Sequence, residues 1–186
     1  MAVPKKNKNW DWDGPLKNRM GKLLETGLWS DLVVIFGNKE ELRLRTLVLR
    51  AGSPMFDKKI TAAVETTGRL QIDDEDPNIF KMMINYLYTG KSDVNMNDAL
   101  PLLKTASEYA IPGLVVQCES ALKGKITDEN ALSLFHGAMD YAHKNLIKTS
   151  LDYICENAAS ILIRDEFAHL RLECLVEIIQ QDRLRV

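Results

Sequence analysis

The chain has 186 residues, of which 46% are hydrophobic and 27% charged, a balance typical of a soluble globular protein. Its formal net charge of −2 argues against a nucleic-acid binder that works through bulk electrostatics, and no apolar run approaches the roughly 20 residues of a membrane helix. Three widely spaced cysteines, Cys118, Cys155 and Cys174, favour a reduced intracellular protein, in the cytoplasm, the nucleus or both.

The N-terminal region begins with a polar segment and continues as a helix. Residues 1–14, MAVPKKNKNWDWDG, predict a flexible tail, and a partner site at its two tryptophans is the alternative. From Leu16 onward an apolar stripe runs through Met20, Leu23 and Leu24, at helical spacing. Gly27 predicts the end of this helix.

Three short strands are predicted next. The run LVVIF is rich in β-branched residues and is followed by a Gly-Asn turn signal. In ELRLRTLVL, Leu42 and Leu44 alternate with Arg43 and Arg45, which predicts a hairpin with one face in solvent. The run RLQI after Gly68 predicts the third strand.

Capping residues predict where the two helices around the third strand begin. Ser53 followed by proline predicts a helix that runs to about Val64. Asp76 followed by proline predicts the next helix, whose apolar side includes Phe80 and which ends at Gly90.

Every segment after Gly90 has a helical pattern. Asn97 predicts the start of one helix and Thr127 the start of another, each as an N-cap. The fold class is therefore α+β, with a small mixed sheet flanked by short helices first and an all-helical extension after it.

No catalytic or metal-binding constellation is predicted. The histidines and cysteines lack the close spacing of a structural zinc site, and Cys118 and Cys155 lie in apolar helical patterns typical of core residues. There is no phosphate-binding loop, dinucleotide fingerprint or nucleophile elbow. The acidic run at residues 73–76 lacks the ligand spacing of a calcium loop and predicts a solvated turn. The sequence therefore predicts a binding protein without a cofactor, and no enzyme.

Four motifs in order carry a resemblance to a known family: a Ser-Asp pair before an apolar strand, LRAGSPMF, FKMMINYLYTG and ASEYAIPGL. Together they resemble a BTB/POZ domain, with the closest likeness to the speckle-type POZ and kelch-like adaptors. The segment from ITDENALSLF to the C-terminus resembles the three-box and part of the BACK helices of cullin adaptors. The resemblance implies a tail at residues 1–14, a BTB/POZ domain at 15–123 and a helical extension at 124–186.

The resemblance implies a homodimer. The positions it places at the two-fold contact are Leu16, Met20, Leu23, Leu24 and Val48. The apolar stripe of the first helix independently favours an interface, because an exposed stripe of this kind usually marks one, and packing within the chain is the alternative.

The resemblance to adaptors further implies binding to the N-terminal region of cullin-3 and presentation of an unidentified substrate protein to a ubiquitin ligase. The implied contact positions are Val64, Glu65, Thr66, Tyr109, Ile111, Leu134 and Tyr141. Cullin-binding members often carry an apolar-x-Glu motif, whereas here the glutamate comes one position early and Thr66 follows it. This departure favours the alternative of a dimerisation scaffold that recruits another protein, such as a transcriptional corepressor. The helical extension favours the cullin adaptor.

Overall fold

The computed structural model describes Trp10, residues 13–63, residues 68–182 and Leu184, without the side chains of Ala62 and Ala63. The chain divides into two compact units, one that ends at Ser92 and one that begins at Asp93. Apart from Trp10, Asp13 and Gly14, the predicted N-terminal tail lies outside the described residues.

The first unit contains a three-stranded sheet and four helices within its described residues. In chain order these are α1 (Leu16–Thr26), β1 (Leu32–Phe36), β2 (Glu41–Leu44), α2 (Thr46–Gly52), α3 (Pro54–Ala63), β3 (Arg69–Ile72) and α4 (Pro77–Thr89). The strand order is β2-β1-β3, with β1 antiparallel to β2 and parallel to β3. The predicted mixed sheet with flanking helices is confirmed.

The predicted capping residues of this unit act as expected. The hydroxyl of Ser53 accepts a hydrogen bond from the Phe56 N–H at 3.1 Å, and the Asp76 carboxylate accepts from the next two free N–H groups of α4. Gly27 and Gly90 end α1 and α4 in the left-handed region, with φ of 60° and 71°.

Three phenylalanines from different elements join the sheet to its helices. Phe36 of β1 and Phe56 of α3 each meet the Phe80 ring of α4 edge-on, at centroid distances of 5.3 and 5.9 Å. All three rings are buried. Such pairs contribute about 0.5–1.5 kcal/mol each beyond the burial of apolar area. This cluster fixes α4 as the platform against which α1 and α2 also pack.

The second unit is helical in all of its described regular structure. Its helices are α5 (Met96–Glu108), α6 (Pro112–Lys123), α7 (Ala131–Asp140), α8 (Lys144–Glu156), α9 (Ala158–Ile161), α10 (Asp165–Ala168) and α11 (Leu172–Ile179). The predicted helical extension is confirmed, although its last two predicted helices are each divided into two shorter ones. Cys118 and Cys155 are buried, as their apolar patterns predicted.

Two predicted helix starts in this unit are wrong. Asn95, two residues before the predicted cap, accepts the Asp98 N–H at 2.9 Å, so α5 begins at Met96. Thr127 opens a turn, since its carbonyl accepts the Ala131 N–H at 2.9 Å, and α7 begins only at that alanine. Both stretches contain more than one residue with good capping chemistry, and local pattern alone does not rank them.

Candidate interaction surfaces

Helix α1 carries four of the five predicted dimer-contact residues, and none of its residues is buried. Leu16 is 65% exposed, and Met20, Leu23 and Leu24 are half-buried. The fifth residue, Val48, is half-buried on α2. The predicted positions therefore retain apolar surface outside the core of the first unit.

The orientation of α1 against α4 explains this exposure. A β-carbon placed at Gly21 would lie 3.6 Å from the methyl group of Thr89, so this side of α1 faces α4. At about 100° per residue, Leu16, Met20 and Leu23 project roughly 100–160° away from that side. Leu16, Met20 and Leu23 thus point away from α4, whereas Leu24 lies only about 60° from the Gly21 side.

Leu47 on α2 is an apolar surface residue that sequence reasoning missed. Its side chain is 76% exposed, more than any other large apolar side chain described in the first unit, while its neighbour Leu49 is buried. The run TLVL is apolar at three successive positions, so its pattern gives no signal for which residue faces outward.

Trp10, one of the two tryptophans of the predicted tail, makes an aromatic contact within the first unit. Its ring lies 5.2 Å from that of Trp29, edge to face. Trp29 is 47% exposed and has φ of 56°, a backbone conformation uncommon for a bulky residue. Trp12 lies outside the described residues.

The predicted cullin-contact residues fall into three groups. Val64, Glu65 and Thr66 lie outside the described residues. Three more are buried, with exposed fractions of 2% for Tyr109, 3% for Ile111 and 4% for Leu134. These side chains therefore offer almost no contact area to a partner. Tyr141 is the exposed one, at 38%.

Tyr109 and Tyr141 occupy the same position in two similar turns. At the end of α5, the Ile111 N–H donates to the Ala106 carbonyl at 2.8 Å, and Ala110 is left-handed with φ of 53°. At the end of α7, the His143 N–H donates to the Ala138 carbonyl at 3.0 Å, and Ala142 also has φ of 53°. Both are the six-to-one closure of a helix C-terminus.

The surface around the second turn, which we call the Tyr141 patch, comprises Lys104, Glu108, Tyr141 and His143. The ammonium of Lys104 lies 5.7 Å from the centroid of the Tyr141 ring, within cation–π range, and also 3.8 Å from the Glu108 carboxylate. The His143 ring lies 6.4 Å from the Tyr141 ring. Tyrosine is one of the residue types enriched among the anchors of protein interfaces.

His143 is the least exposed member of the Tyr141 patch. Its ring is 9% exposed, and its Nε2 lies 3.3 Å from the Ser107 hydroxyl. That hydroxyl donates to the Leu103 carbonyl at 2.9 Å, so Nε2 carries the hydrogen and donates to it. Burial lowers the pKa of His143 below its usual value, and the Glu119 carboxylate partly offsets this by raising the pKa. The neutral ring is therefore the form that fits this site.

The described residues offer little for metal or membrane binding. No three His, Cys, Asp or Glu side chains among them lie close enough together to hold a metal ion. The described helices are all too short, or insufficiently apolar, to cross a bilayer.

Architecture and surfaces together define an α+β module that exposes large apolar side chains both on helices, such as Leu16 and Leu47, and at a turn, as at Tyr141. The BTB/POZ domain family model matches residues 20–126, and the BACK (BTB And C-terminal Kelch) family model matches residues 131–186. The chain belongs to the BTB/POZ family, with a BACK region after its BTB domain.

Two known proteins are similar to most of this chain. The chain is 27% identical over 171 residues to human Kelch-like protein 40, covering 92% of this chain and 27% of that protein. It is 31% identical over 150 residues to mouse TD and POZ domain-containing protein 4, covering 78% of this chain and 40% of that protein. The chain thus spans between 27% and 40% of the length of these relatives.

A solved structure confirms the fold of the BTB part. The BTB domain of zebrafish PATZ1 superposes with a TM-score of 0.51 at 18% sequence identity, covering 59% of this chain and 89% of that chain. At this level of identity the likeness concerns the fold alone.

Proposed function

We propose that this chain is the BTB-BACK part of a homodimeric adaptor that binds the N-terminal region of cullin-3. In this role it holds a substrate protein near the ubiquitin-transfer machinery and performs no chemistry itself, because raising the local concentration of a substrate is sufficient. The proposed bounds are residues 15–123 for the BTB domain and 124–186 for the helical extension, in a cytoplasmic or nuclear protein.

The exposed stripe of α1 carries the dimer part of the proposal. Leu16 is 65% exposed, and Met20 and Leu23 lie on the same side of the helix, turned away from α4. Apolar side chains at this spacing favour a self-complementary contact across a two-fold axis, in which the stripe of one protomer meets that of its partner. Val48 and Leu47 of α2 extend the proposed contact.

The dimer is tested by replacing Leu16 with aspartate and measuring mass by light scattering. Because Leu16 is largely exposed, Leu16→Asp leaves the fold of each protomer intact and is expected to halve the molecular mass at micromolar concentration. Lys17→Asp is the matched control, an exposed residue about 100° around the same helix, and is expected to remain dimeric. An unchanged mass in Leu16→Asp, with circular dichroism showing a folded protein, rejects α1 as the interface.

The Tyr141 patch supports the cullin part of the proposal. Tyr141 is the predicted contact residue with substantial exposed area among those described, and the buried Tyr109, Ile111 and Leu134 hold the helices that carry this part of the second unit. Val64, Glu65 and Thr66 stay predicted contacts. Interfaces of this kind concentrate their binding free energy in a few aromatic or aliphatic anchors.

Calorimetric titration with the N-terminal region of cullin-3 tests this part. A dissociation constant below about 1 μM, roughly −8 kcal/mol, is expected at one cullin per chain. Tyr141→Ala is expected to weaken binding about 30-fold, the effect of removing an anchor worth about 2 kcal/mol. Ile163→Ala is the control, since that side chain is 82% exposed in the same unit but outside the Tyr141 patch. No heat and no complex on gel filtration reject cullin binding.

A second candidate function, a dimerisation scaffold that does not bind cullin, is supported by Thr66, which stands where the apolar-x-Glu motif has its glutamate. The glutamate of the apolar-x-Glu pattern stands at position 65 here, and a scaffold that recruits a transcriptional corepressor does not require that motif. Thr66→Glu separates the two: restored or tighter cullin binding supports the adaptor, whereas a dimer that binds no cullin with either residue supports the scaffold.

A further inference from the structure

A groove of about 480 Å³ lies between the start of α7 and the short α10 in the second unit. Leu132 and Leu170 line it where it meets the apolar core of this unit, the first as a member of that core and the second packed against it. His136 and His169 contribute their rings to the lining. The groove lies on other residues than the Tyr141 patch and the stripe of α1.

The charged side chains of the groove are predominantly acidic. Four carboxylates, those of Asp128, Glu129, Asp165 and Glu166, line it together with a single guanidinium, that of Arg164. The Nε of Arg164 lies 3.5 Å from a Glu166 oxygen, so part of its charge is already compensated. Glu129 has its pKa lowered chiefly by a hydrogen bond from Thr127.

Two uncharged polar side chains of the groove have defined hydrogen bonds to backbone carbonyls. The Nδ1 of His169 lies 2.8 Å from the Asp165 carbonyl oxygen, which can only accept, so Nδ1 carries a hydrogen and donates to it. The Ser133 hydroxyl donates its hydrogen to the Asn130 carbonyl at 2.9 Å. Its oxygen therefore acts toward a ligand as a hydrogen-bond acceptor. The Ser133 oxygen thus adds an acceptor to those of the carboxylates.

Neighbouring side chains hold one of these carboxylates in place. Asp128 accepts hydrogen bonds from the hydroxyls of Tyr153 at 3.0 Å and Ser160 at 2.7 Å, one on each oxygen. Because these donors come from α8 and α9, folding of the unit itself positions Asp128 at the groove. A fixed acceptor costs less conformational entropy on binding than a mobile one.

The chemistry of the lining selects among ligands. Anionic ligands, nucleic acids included, are repelled by the excess of carboxylates. A metal ion lacks a suitable cluster of three ligands among the described residues. A lysine or arginine side chain satisfies both features of the groove, because its aliphatic stem suits the leucines and its tip supplies only donors.

We propose that this α7–α10 groove is a docking site for a basic, aliphatic peptide segment of a partner protein. The segment places an arginine or lysine against the acidic wall and a neighbouring aliphatic side chain on Leu132 and Leu170. A volume of about 480 Å³ accommodates such a pair of side chains, and falls in the ordinary range of ligand sites.

The test uses a fluorescein-labelled, capped peptide of sequence LRALKRAL and its acidic counterpart LEALEEAL. Fluorescence anisotropy with the full chain is expected to show at least tenfold tighter binding of the basic peptide in 50 mM NaCl. Raising NaCl to about 300 mM is expected to weaken that binding several-fold, because the Debye length shortens from roughly 14 to 6 Å. Equal affinity for the two peptides overturns the proposal.

Charge-neutral variants locate the site. The double variant Glu129→Gln with Glu166→Gln removes two exposed groove carboxylates. It is expected to lower the affinity for the basic peptide at least fivefold. Glu156→Gln with Glu173→Gln changes the net charge equally at exposed positions outside the groove, and is expected to leave the affinity within twofold. Equal losses in the two double variants overturn the proposal, because they indicate bulk attraction.

Two further measurements separate the remaining outcomes. Leu170→Ala, verified as folded by circular dichroism, is expected to lower the affinity for the basic peptide about threefold to tenfold. The salt dependence of that affinity is expected to stay the same. If the groove double variant instead changes the sedimentation coefficient of the protein alone, a second copy of the chain occupies the groove and the peptide proposal is wrong. Cullin titration of the same variant is expected to be unchanged, so the two proposals fail separately.

Discussion

The hairpins α5–α6 and α7–α8 share a connection but differ in what it presents. Each first helix ends in an acidic residue, a tyrosine and a left-handed alanine with φ of 53°, as Glu-Tyr-Ala-Ile in one and Asp-Tyr-Ala-His in the other. In the first hairpin Tyr109 is 2% exposed, and in the second Tyr141 is 38% exposed. The same backbone turn therefore yields a core residue in one place and a surface residue in the other.

The residue after each left-handed alanine differs in a related way. Ile111 is buried and apolar, whereas His143 is buried but polar, with its Nε2 directed at the Ser107 hydroxyl at 3.3 Å. An apolar side chain in this position contributes packing at any pH. A histidine adds a hydrogen bond and also makes stability depend on protonation. The first hairpin is thus built for packing, and the second combines packing with a polar surface.

Truncating the two tyrosines is expected to give the largest difference between the hairpins. Tyr109→Ala removes a buried aromatic ring and is expected to lower the free energy of unfolding by about 3–5 kcal/mol. Tyr141→Ala removes a half-exposed ring and is expected to cost about 1 kcal/mol or less. Urea unfolding followed by circular dichroism measures both. Similar losses would mean that Tyr141 is as much a core residue as Tyr109.

The closed interior of the first hairpin is probed by its cysteine. Burial raises the pKa of the Cys118 thiol on α6 to about 12, so at pH 8 about one molecule in ten thousand carries the reactive thiolate. Alkylation of Cys118 by iodoacetamide is expected to be at least 100-fold slower in the native protein than in urea. Peptide mass spectrometry measures the rate at this cysteine separately from the other two. Comparable rates would show that α5–α6 opens readily.

The histidine of the second hairpin is expected to make stability depend on pH. Because burial lowers the pKa of His143 below about 6.5, the unfolded chain takes up the proton first as the pH falls. The free energy of unfolding is therefore highest above about pH 6.5, falls on acidification toward the folded pKa, and loses nothing further from this residue below it. Each unit by which the pKa is lowered corresponds to about 1.4 kcal/mol.

A variant assigns this pH dependence to one residue. His143→Gln keeps a donor for Ser107 but does not titrate, so the fall in stability on acidification below about pH 6.5 is expected to shrink. His169→Gln changes an exposed histidine outside the Tyr141 patch and serves as the control. A slope that is identical in His143→Gln and the parent protein would contradict the assignment.

The smallest expected effect concerns the backbone that the hairpins share. Replacing a left-handed alanine by glycine removes backbone strain, which raises the free energy of unfolding by about 1–2 kcal/mol. The greater freedom of glycine in the unfolded chain offsets about 0.4–1 kcal/mol of this gain. Ala110→Gly and Ala142→Gly are therefore each expected to stabilise the protein by up to about 1 kcal/mol, and by similar amounts. Thermal unfolding of the two variants compares them. A gain at only one position would show that the turns are not equivalent.

Much of the fold was predictable from local patterns. The strands LVVIF, ELRL and RLQI, the caps Ser53 and Asp76, and the helix ends Gly27 and Gly90 are all confirmed. Each depends on residues within one or two turns of one another. The wrong starts at Asn97 and Thr127 arose where several capping residues compete within a few positions, so a difference in local geometry determines the outcome.

The sites were less predictable because exposure depends on residues far apart in the chain. Tyr109, Ile111, Leu134 and Tyr141 all follow apolar helical patterns, and only their packing distinguishes the first three from the last. The α7–α10 groove had no sequence signal, since its walls come from residues 128–136 and 164–170 and the orientation of the His169 ring depends on a backbone carbonyl.

The sequence by itself determined the kinds of secondary structure, their order, and the membership of this chain in the BTB/POZ family with a BACK region. The tertiary structure alone decided which apolar side chains remain in solvent, such as Leu16, Leu47 and Tyr141. The physical reason is the distance along the chain over which the deciding interactions act. Helices, strands and caps follow from hydrogen bonds and periodicities over a few residues, whereas exposure follows from contacts between elements that the chain brings together only when it folds.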